Sequence, residues 1–215
     1  MPQPISSRDD IKTDAFQERL KAALEWIAAH RQTFFSVVGT VAVVIAVAVF
    51  VVTNFRSLNQ QAWERYNRGA HDDVINNFGR TKAASYSLLA KGDQFYSEKK
   101  FAESQDAYRK CLANNPPQII IPFALSGLGA AQEDSGDYAG AIDSYKKFTS
   151  NHPDHILAPK IYESLARVYE ISKNLDAAKE IYEKIITMFP DSLWAQNARG
   201  RYQALAPMPF QEKPK

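Results

Sequence analysis

Residues 122–153 read PFALSGLGAAQEDSGDYAGAIDSYKKFTSNHP. Proline is tolerated in the first turn of a helix, so Pro122 suits a helix start. Gly136-Asp137-Tyr138 reads as a short turn. Pro153 stops the second helix, because a helix seldom runs through proline. The stretch therefore predicts helix A over Pro122–Ser135 and helix B over Ala139–Ser150. The same pattern occurs three times at a spacing of 37 residues, closed by Pro116, Pro153 and Pro190. Each proline comes after a small residue, an aromatic and a core residue at fixed offsets: Ser104, Tyr108 and Cys111; Ala141, Tyr145 and Phe148; Ala178, Tyr182 and Ile185. A period in the thirties with such pairs at helical spacing predicts stacked helical hairpins. The units begin at Ser85, Pro122 and Pro159, and a last helix over Ser192–Leu205 closes the stack. Its Arg199, Arg201 and Gln203 are expected to face water, as a cap requires.

Ahead of the repeats, no charged residue stands between Arg31 and Arg56, and Phe34–Val52 is interrupted only by Ser36, Gly39 and Thr40. Nineteen helical residues reach roughly 28 Å, about one hydrocarbon core. A cleaved signal would have a shorter apolar run nearer the start and then a small-x-small site. A buried core helix would need apolar segments around it, and no later segment supplies them. The segment is expected to be a single-pass anchor in the lipid bilayer. Lys12, Arg19, Lys21 and Arg31 precede it and Arg56, Arg65 and Arg68 come after it, a bias that leans only weakly towards N-terminus inside.

Residues 1–13 are polar and are read as disordered. From Asp14, which can cap with Gln17 as its reciprocal partner, an amphipathic helix is expected with Phe16, Leu20, Leu24 and Ile27 on one stripe. It rests on the bilayer, docks a partner or simply leads into the span. Residues 56–84 read as a helical stalk, with Trp63 and Tyr66 as interfacial aromatics and breaks near Gly69 or Gly79.

Composition removes several classes of function. With 26 basic and 24 acidic residues there is no basic excess to suggest nucleic acid. The single Cys111 allows no internal disulfide and falls at a core position of helix B. His152 and His155 have a spacing that could touch a metal, but no third ligand is near, so neither metal nor cofactor is expected. Asp72-Asp73 and the charged runs of helix B read as solvated faces. No catalytic constellation stands out, and an enzyme is not expected.

The repeat resembles the tetratricopeptide repeat. That family places a small residue where helix A meets its neighbour, here Gly92, Gly129 and Ala166. Phe95 and Tyr169 fill the next turn, whereas Gln132 departs from the pattern. Phe101, Tyr138 and Leu175 take the turn position. Unit one is looser, with Lys91 where leucine is usual and Ser104 for alanine. The resemblance implies an all-α chain: one N-terminal transmembrane helix, then an α-solenoid of about three repeats and a capping helix. It also implies a concave face lined by helix A. Carried over by position, that groove consists of Tyr86, Leu89, Asp93 and Tyr96, then Phe123, Ser126, Ala130 and Glu133, then Lys160, Glu163, Arg167 and Glu170. An apolar end and a charged end would suit an extended or helical peptide, unless Tyr86 and Phe123 instead pack on the stalk. Repeats that clamp a C-terminal carboxylate use Lys and Asn where this chain has Leu89 and Asp93, so that ligand is not expected.

The family's basic unit is 34 residues. The three additional residues precede each helix A: Ile119-Ile120-Ile121, Ile156-Leu157-Ala158 and Leu193-Trp194-Ala195. The linkers Pro153-Asp154-His155 and Pro190-Asp191-Ser192 resemble those of bacterial envelope repeat proteins. The whole layout is similar to the ancillary subunit of the bacterial Sec translocon. That implies residues 1–31 in the cytoplasm, a transmembrane helix over 32–55, a stalk over 56–84, a periplasmic repeat domain over 85–206 and a disordered tail over 207–215. The expected partners are the translocon, periplasmic chaperones or client proteins emerging from the channel. The alternatives are a cytosol-facing anchored receptor, an envelope or division assembly adaptor, and the regulatory subunit of an envelope enzyme.

Overall fold

The computed structural model describes residues 8–205, with side chains from residue 16 onward. The expectations for residues 1–7 and for the tail from 206 lie outside the described residues. Ten helices and no strand are present among the described residues. They fall into two units, 1–57 and 58–215.

In the first unit, α1 (Arg8–Ala29) leads through His30 into α2 (Arg31–Asn67), whose last turns belong to the second unit. Asp14 thus lies inside α1 rather than at its cap, and residues 8–13 are helical. The stripe Phe16, Leu20 and Leu24 is exposed. α2 is the one described helix long and apolar enough to cross a bilayer. The Thr40 hydroxyl donates to the Ser36 carbonyl at 2.9 Å, and that of Thr53 to the Val49 carbonyl at 2.9 Å. The helix therefore satisfies these hydroxyls internally, as an apolar surrounding demands.

The second unit stacks α3 (His71–Asn77), α4 (Lys82–Ser97), α5 (Phe101–Ala113), α6 (Ile121–Asp134), α7 (Tyr138–Asn151), α8 (Ala158–Ile171), α9 (Leu175–Met188) and α10 (Leu193–Ala204). Helices A are α4, α6, α8 and α10, and helices B are α5, α7 and α9. Each packs against the next in chain order. The expected bounds of α6, α7 and α10 hold to within a residue. The first helix A starts three residues before Ser85, because Thr81 caps it by accepting from the Ala84 amide. Ser192 stands at the same place three periods later and accepts from Ala195 at 3.1 Å. α6 and α8 instead carry Pro122 and Pro159 as their second residues, within the first turn.

Residues 62–84 do not form a free stalk. Ala62, Val74, Phe78, Ala83 and Ala84 are buried together, with Trp63 and Tyr66 packed on them. The 37-residue period explains why. Val74 stands 37 residues before Cys111, and Val74, Cys111, Phe148 and Ile185 are all fully buried at one phase. α3 ends at Asn77, 74 residues before the end of α7 at Asn151, which is two periods. α3 is thus the closing half of a helix B from an incomplete fourth unit. Its earlier half is lost to the turn at Gly69, whose φ of +77° favours glycine.

Between helices A and B, the tyrosine of B seats on the small residue of A. A Cβ on Gly92 would lie 2.5 Å from Cε1 of Tyr108, and one on Gly129 would lie 2.6 Å from Cδ1 of Tyr145. Gln132, the departure from the family pattern, is buried but meets the Ser144 hydroxyl at 2.6 Å, and Gly140 leaves room for its amide. Cys111 is fully buried, with Sγ 3.2 Å from the Ser85 carbonyl, and burial pushes its thiol up to about 11. His152 and His155 flank the Phe148 ring at 5.8 and 5.6 Å.

The A–B turns share another phase. Lys99, Gly136 and Lys173 have φ of +58°, +82° and +61°. A left-handed conformation costs an L side chain about 1 kcal/mol or more. Lys173→Gly is therefore expected to raise stability by up to about 1 kcal/mol, and Gly136→Ala to lower it by a similar amount. Paired thermal melts check both, and equal Tm values would contradict the turn geometry.

Candidate protein-binding groove

Helices A approach one another across successive repeats, α4 with α6 and α8 with α10, and no pair of helices B comes as close. Helices A therefore form the inner layer. On each of them one stripe turns to the core: Ala84, Leu88 and Gly92; Ala124, Leu128 and Ala131; Ile161, Leu165 and Val168. The twelve groove positions lie off these stripes, and none of the twelve is buried.

At the N-terminal end Tyr86 follows the alternative left open by the sequence and packs on residues 56–84, whereas Phe123 does not. Tyr86 stacks into an aromatic corner, 5.1 Å from Trp63 and 6.0 Å from Tyr66. Leu89 is half-buried against the cluster that contains Leu88, Tyr108 and Cys111. Asp93 is exposed and accepts the Tyr108 hydroxyl at 2.6 Å. Tyr96 donates to Asp134 at 2.5 Å, and burial, reinforced by that carboxylate, pushes its phenol up to about 12.

In the middle, Phe123 is 43% exposed, its ring edge-on to His155 at 5.5 Å. Ser126 and Ala130 are half-buried and small, so the floor dips between Phe123 and Glu133. Glu133 accepts the Tyr145 hydroxyl at 2.9 Å and two bonds from Arg167 at 2.7 and 3.0 Å. The bidentate geometry is the stronger kind. It holds the Arg167 guanidinium above its ordinary range, the Glu133 hydrogen bond being the main cause.

At the C-terminal end, Lys160 is exposed and Glu163 half-buried. Glu170 accepts the Tyr182 hydroxyl at 2.5 Å and faces Arg201 at 3.7 Å. A cleft of 560 Å³ opens here, lined by Glu163, Arg167, Trp194, Asn197 and Arg201 among others. Trp194, Asn197 and Arg201 belong to the capping helix and are not among the groove positions that the repeat pattern supplies. The 37-residue register gives Asn197 the position on the capping helix that Lys160 holds on α8, and is the signal that could find it.

Two regularities run through the groove. The tyrosine of each helix B donates to a carboxylate of its own helix A: Tyr108 to Asp93, Tyr145 to Glu133, Tyr182 to Glu170. Each helix A is also tied to the next along the floor, by Tyr96–Asp134, Glu133–Arg167 and Glu170–Arg201. Much of the charge in the groove is thus committed to holding its shape. Asp93, Phe123, Lys160 and Arg167 remain as the exposed positions.

Among the described residues no cluster of His, Cys, Asp or Glu could hold a metal ion. Family models described as tetratricopeptide repeat match residues 159–192 and 123–155, and the chain carries that repeat there. No curated protein matches the chain. Several solved structures are similar in fold. The first tetratricopeptide domain of Spaghetti (RPAP3) bound to the HSP90 peptide SRMEEVD is 22% identical, with a TM-score of 0.48 over 57% of this chain and 94% of that one. The tetratricopeptide domain of Arabidopsis OM64 is 16% identical, with a TM-score of 0.49 over 57% of this chain and 97% of that one. MamA AMB-1 is 12% identical, with a TM-score of 0.47 over 70% and 85%.

Proposed function

We propose that this chain is a non-enzymatic, membrane-anchored scaffold that holds protein partners along the inner face of its repeats. The observation that carries the reading is the helix A face. None of its twelve groove positions is buried, while their neighbours on the same helices are. A rigid, concave and partly apolar face with a few exposed charges suits an extended or helical peptide. The apolar stretch of α2 has none of its residues buried by protein, which suits a bilayer rather than a protein core.

The layout further favours a bacterial inner-membrane protein with its N-terminus in the cytoplasm and its repeats in the periplasm. There it would serve as an ancillary subunit of the Sec translocon, receiving emerging proteins or chaperones. The test is cross-linking in cells and then purification in detergent. Translocon or periplasmic folding proteins are expected with the wild type. Phe123→Asp with Lys160→Glu, both at exposed positions, should cut their recovery several-fold while the thermal melt holds. Tyr86 is left alone, because a charge in its aromatic corner would unfold that end. Unchanged recovery would sink the groove assignment. Protease added to spheroplasts should digest the repeats, and protection of the repeats would place them in the cytosol instead.

A further inference from the structure

Ile119, Ile156 and Leu193 hold the same place in three successive repeats. They are 66%, 85% and 67% exposed. A core is at hand for them, since the adjacent Ile120, Ala158 and Ala195 turn inward and are buried. Each stands where a helix B hands over to the next helix A. Packed helices lie about 8–10 Å apart, so the three side chains form a row along one edge of the array. Phe123, Met188 and Trp194 are exposed beside the row.

The two edges of the array differ in charge. Every turn on the opposite edge is charged: Glu98, Lys99 and Lys100, then Asp134 and Asp137, then Lys173 and Asp176. On the row's edge, no charged residue occurs from Cys111 to Gln132. Asp154 and Asp191 are its acidic residues, against Arg80, Lys82 and Lys160. None of α4, α6, α8 and α10, which begin on this edge, has an acidic residue in its first turn. Their positive dipole ends therefore open there without a carboxylate in the first turn, a feature that suits negative groups.

Ten residue steps of chain lead from Val52, the end of the apolar stretch, to Ala62, the first buried residue of the array. Even fully extended they reach no more than about 36 Å. We infer that the edge marked by Ile119, Ile156 and Leu193 rests in the headgroup layer of the bilayer that α2 crosses. The inference rests on the membrane-span reading. Aliphatic tips, an indole and a mild basic excess are the chemistry of an interfacial contact with anionic lipid.

The test uses the full chain in vesicles of phosphatidylcholine and phosphatidylglycerol. A fluorophore is placed on Ile156→Cys or, on the opposite edge, on Lys173→Cys. Cys111 is buried and stays unlabelled, which the wild type verifies. Spin labels on lipid headgroups should quench the label at Ile156→Cys several-fold more than that at Lys173→Cys. With Ile119→Ser, Ile156→Ser and Leu193→Ser combined, a label at Gln118→Cys should lose this quenching while the protein stays resistant to alkaline carbonate. Equal quenching at the two edges overturns the inference alone. So does a label at Ile156→Cys that is hidden from water but untouched by the lipid spin labels, because a protein partner or a second copy then covers the edge. Release by carbonate overturns the membrane span and the inference together.

Discussion

Gly129→Val is expected to destabilise the repeat array by roughly 3 kcal/mol, about 10 °C in Tm, with no change in net charge. The Tyr145 ring lies where the new side chain must go. A Cβ there would already be 2.6 Å from Cδ1 and 3.0 Å from Cζ, and valine adds two methyl groups. The ring cannot tilt away cheaply, since it is 2% exposed and its hydroxyl is held by Glu133 at 2.9 Å. Opposing this is helix propensity: an interior glycine costs about 1 kcal/mol relative to alanine, and valine recovers only part of that. Overpacking therefore wins. Gly129→Ala balances the two terms more closely and should cost about 1 kcal/mol or slightly more. Tyr145→Phe in the same chain should return part of that loss, because the ring is no longer pinned. Thermal or denaturant melts of the four proteins decide it. A Gly129→Val variant as stable as wild type would mean that helices A and B do not approach this closely.

Above about pH 10 the array is expected to lose stability steeply, and the loss should largely disappear in Tyr108→Phe/Tyr145→Phe/Tyr182→Phe. Burial is the main reason that all three phenols are pushed above their ordinary range, with the partner carboxylates Asp93, Glu133 and Glu170 adding to it. In the unfolded chain each titrates near 10. The folded state thus favours the neutral hydroxyl. That contribution is complete below about pH 10 and fades as pH climbs through the raised folded values. Tyr96, pushed only to about 12, yields before these three. Lysines also titrate in this range and weaken surface ion pairs, but the wild type and the triple variant share them. The informative quantity is the difference between their denaturant midpoints, tracked alongside tyrosinate absorbance. Parallel decline of the two proteins from about pH 9 to about pH 12 would refute the role of the three hydroxyls. Near neutral pH the variant should be weaker, by about 1 kcal/mol per lost hydrogen bond.

Much of this architecture is legible from prolines, glycines and tyrosines at a fixed phase. The bounds of α6, α7 and α10 can be read from Pro122, the Gly136 turn and Ser192, because caps and breakers act locally. The half-unit at α3 is not legible by the same signs. His71 replaces the tyrosine, Asn67 the small residue and Gly79 the closing proline, so every marker is gone and only buried Val74 keeps phase. The groove is readable as a set of positions, since helix A geometry fixes which side chains leave the core. Its internal wiring is not. A tyrosine at a core position advertises its ring, and nothing in the ring says which carboxylate its hydroxyl will meet. The equal separation of Tyr145 from Glu133 and of Tyr182 from Glu170 is the available clue, and unit one hides it by placing Tyr96 where the glutamate should be. Tyr86 shows the converse difficulty. Register assigns it to the groove and leaves packing on residues 56–84 as the alternative, and the rings of Trp63 and Tyr66 that do claim it lie some twenty residues earlier in the chain.

The aromatic corner has a mechanical meaning. A linear array fixed at one end and loaded along its inner face carries tension into its first hairpin. On its N-terminal side that hairpin has no complete neighbour, only α3 and the rings of Trp63, Tyr66 and Tyr86. Contacts in such arrays are between nearest neighbours, so they give way in sequence rather than all together. On the proposed scaffold reading, a pull from a captured chain would make the corner a latch. While it holds, the repeats transmit force as one rigid strut, and when it slips, the array peels from its tethered end and yields slack before it breaks.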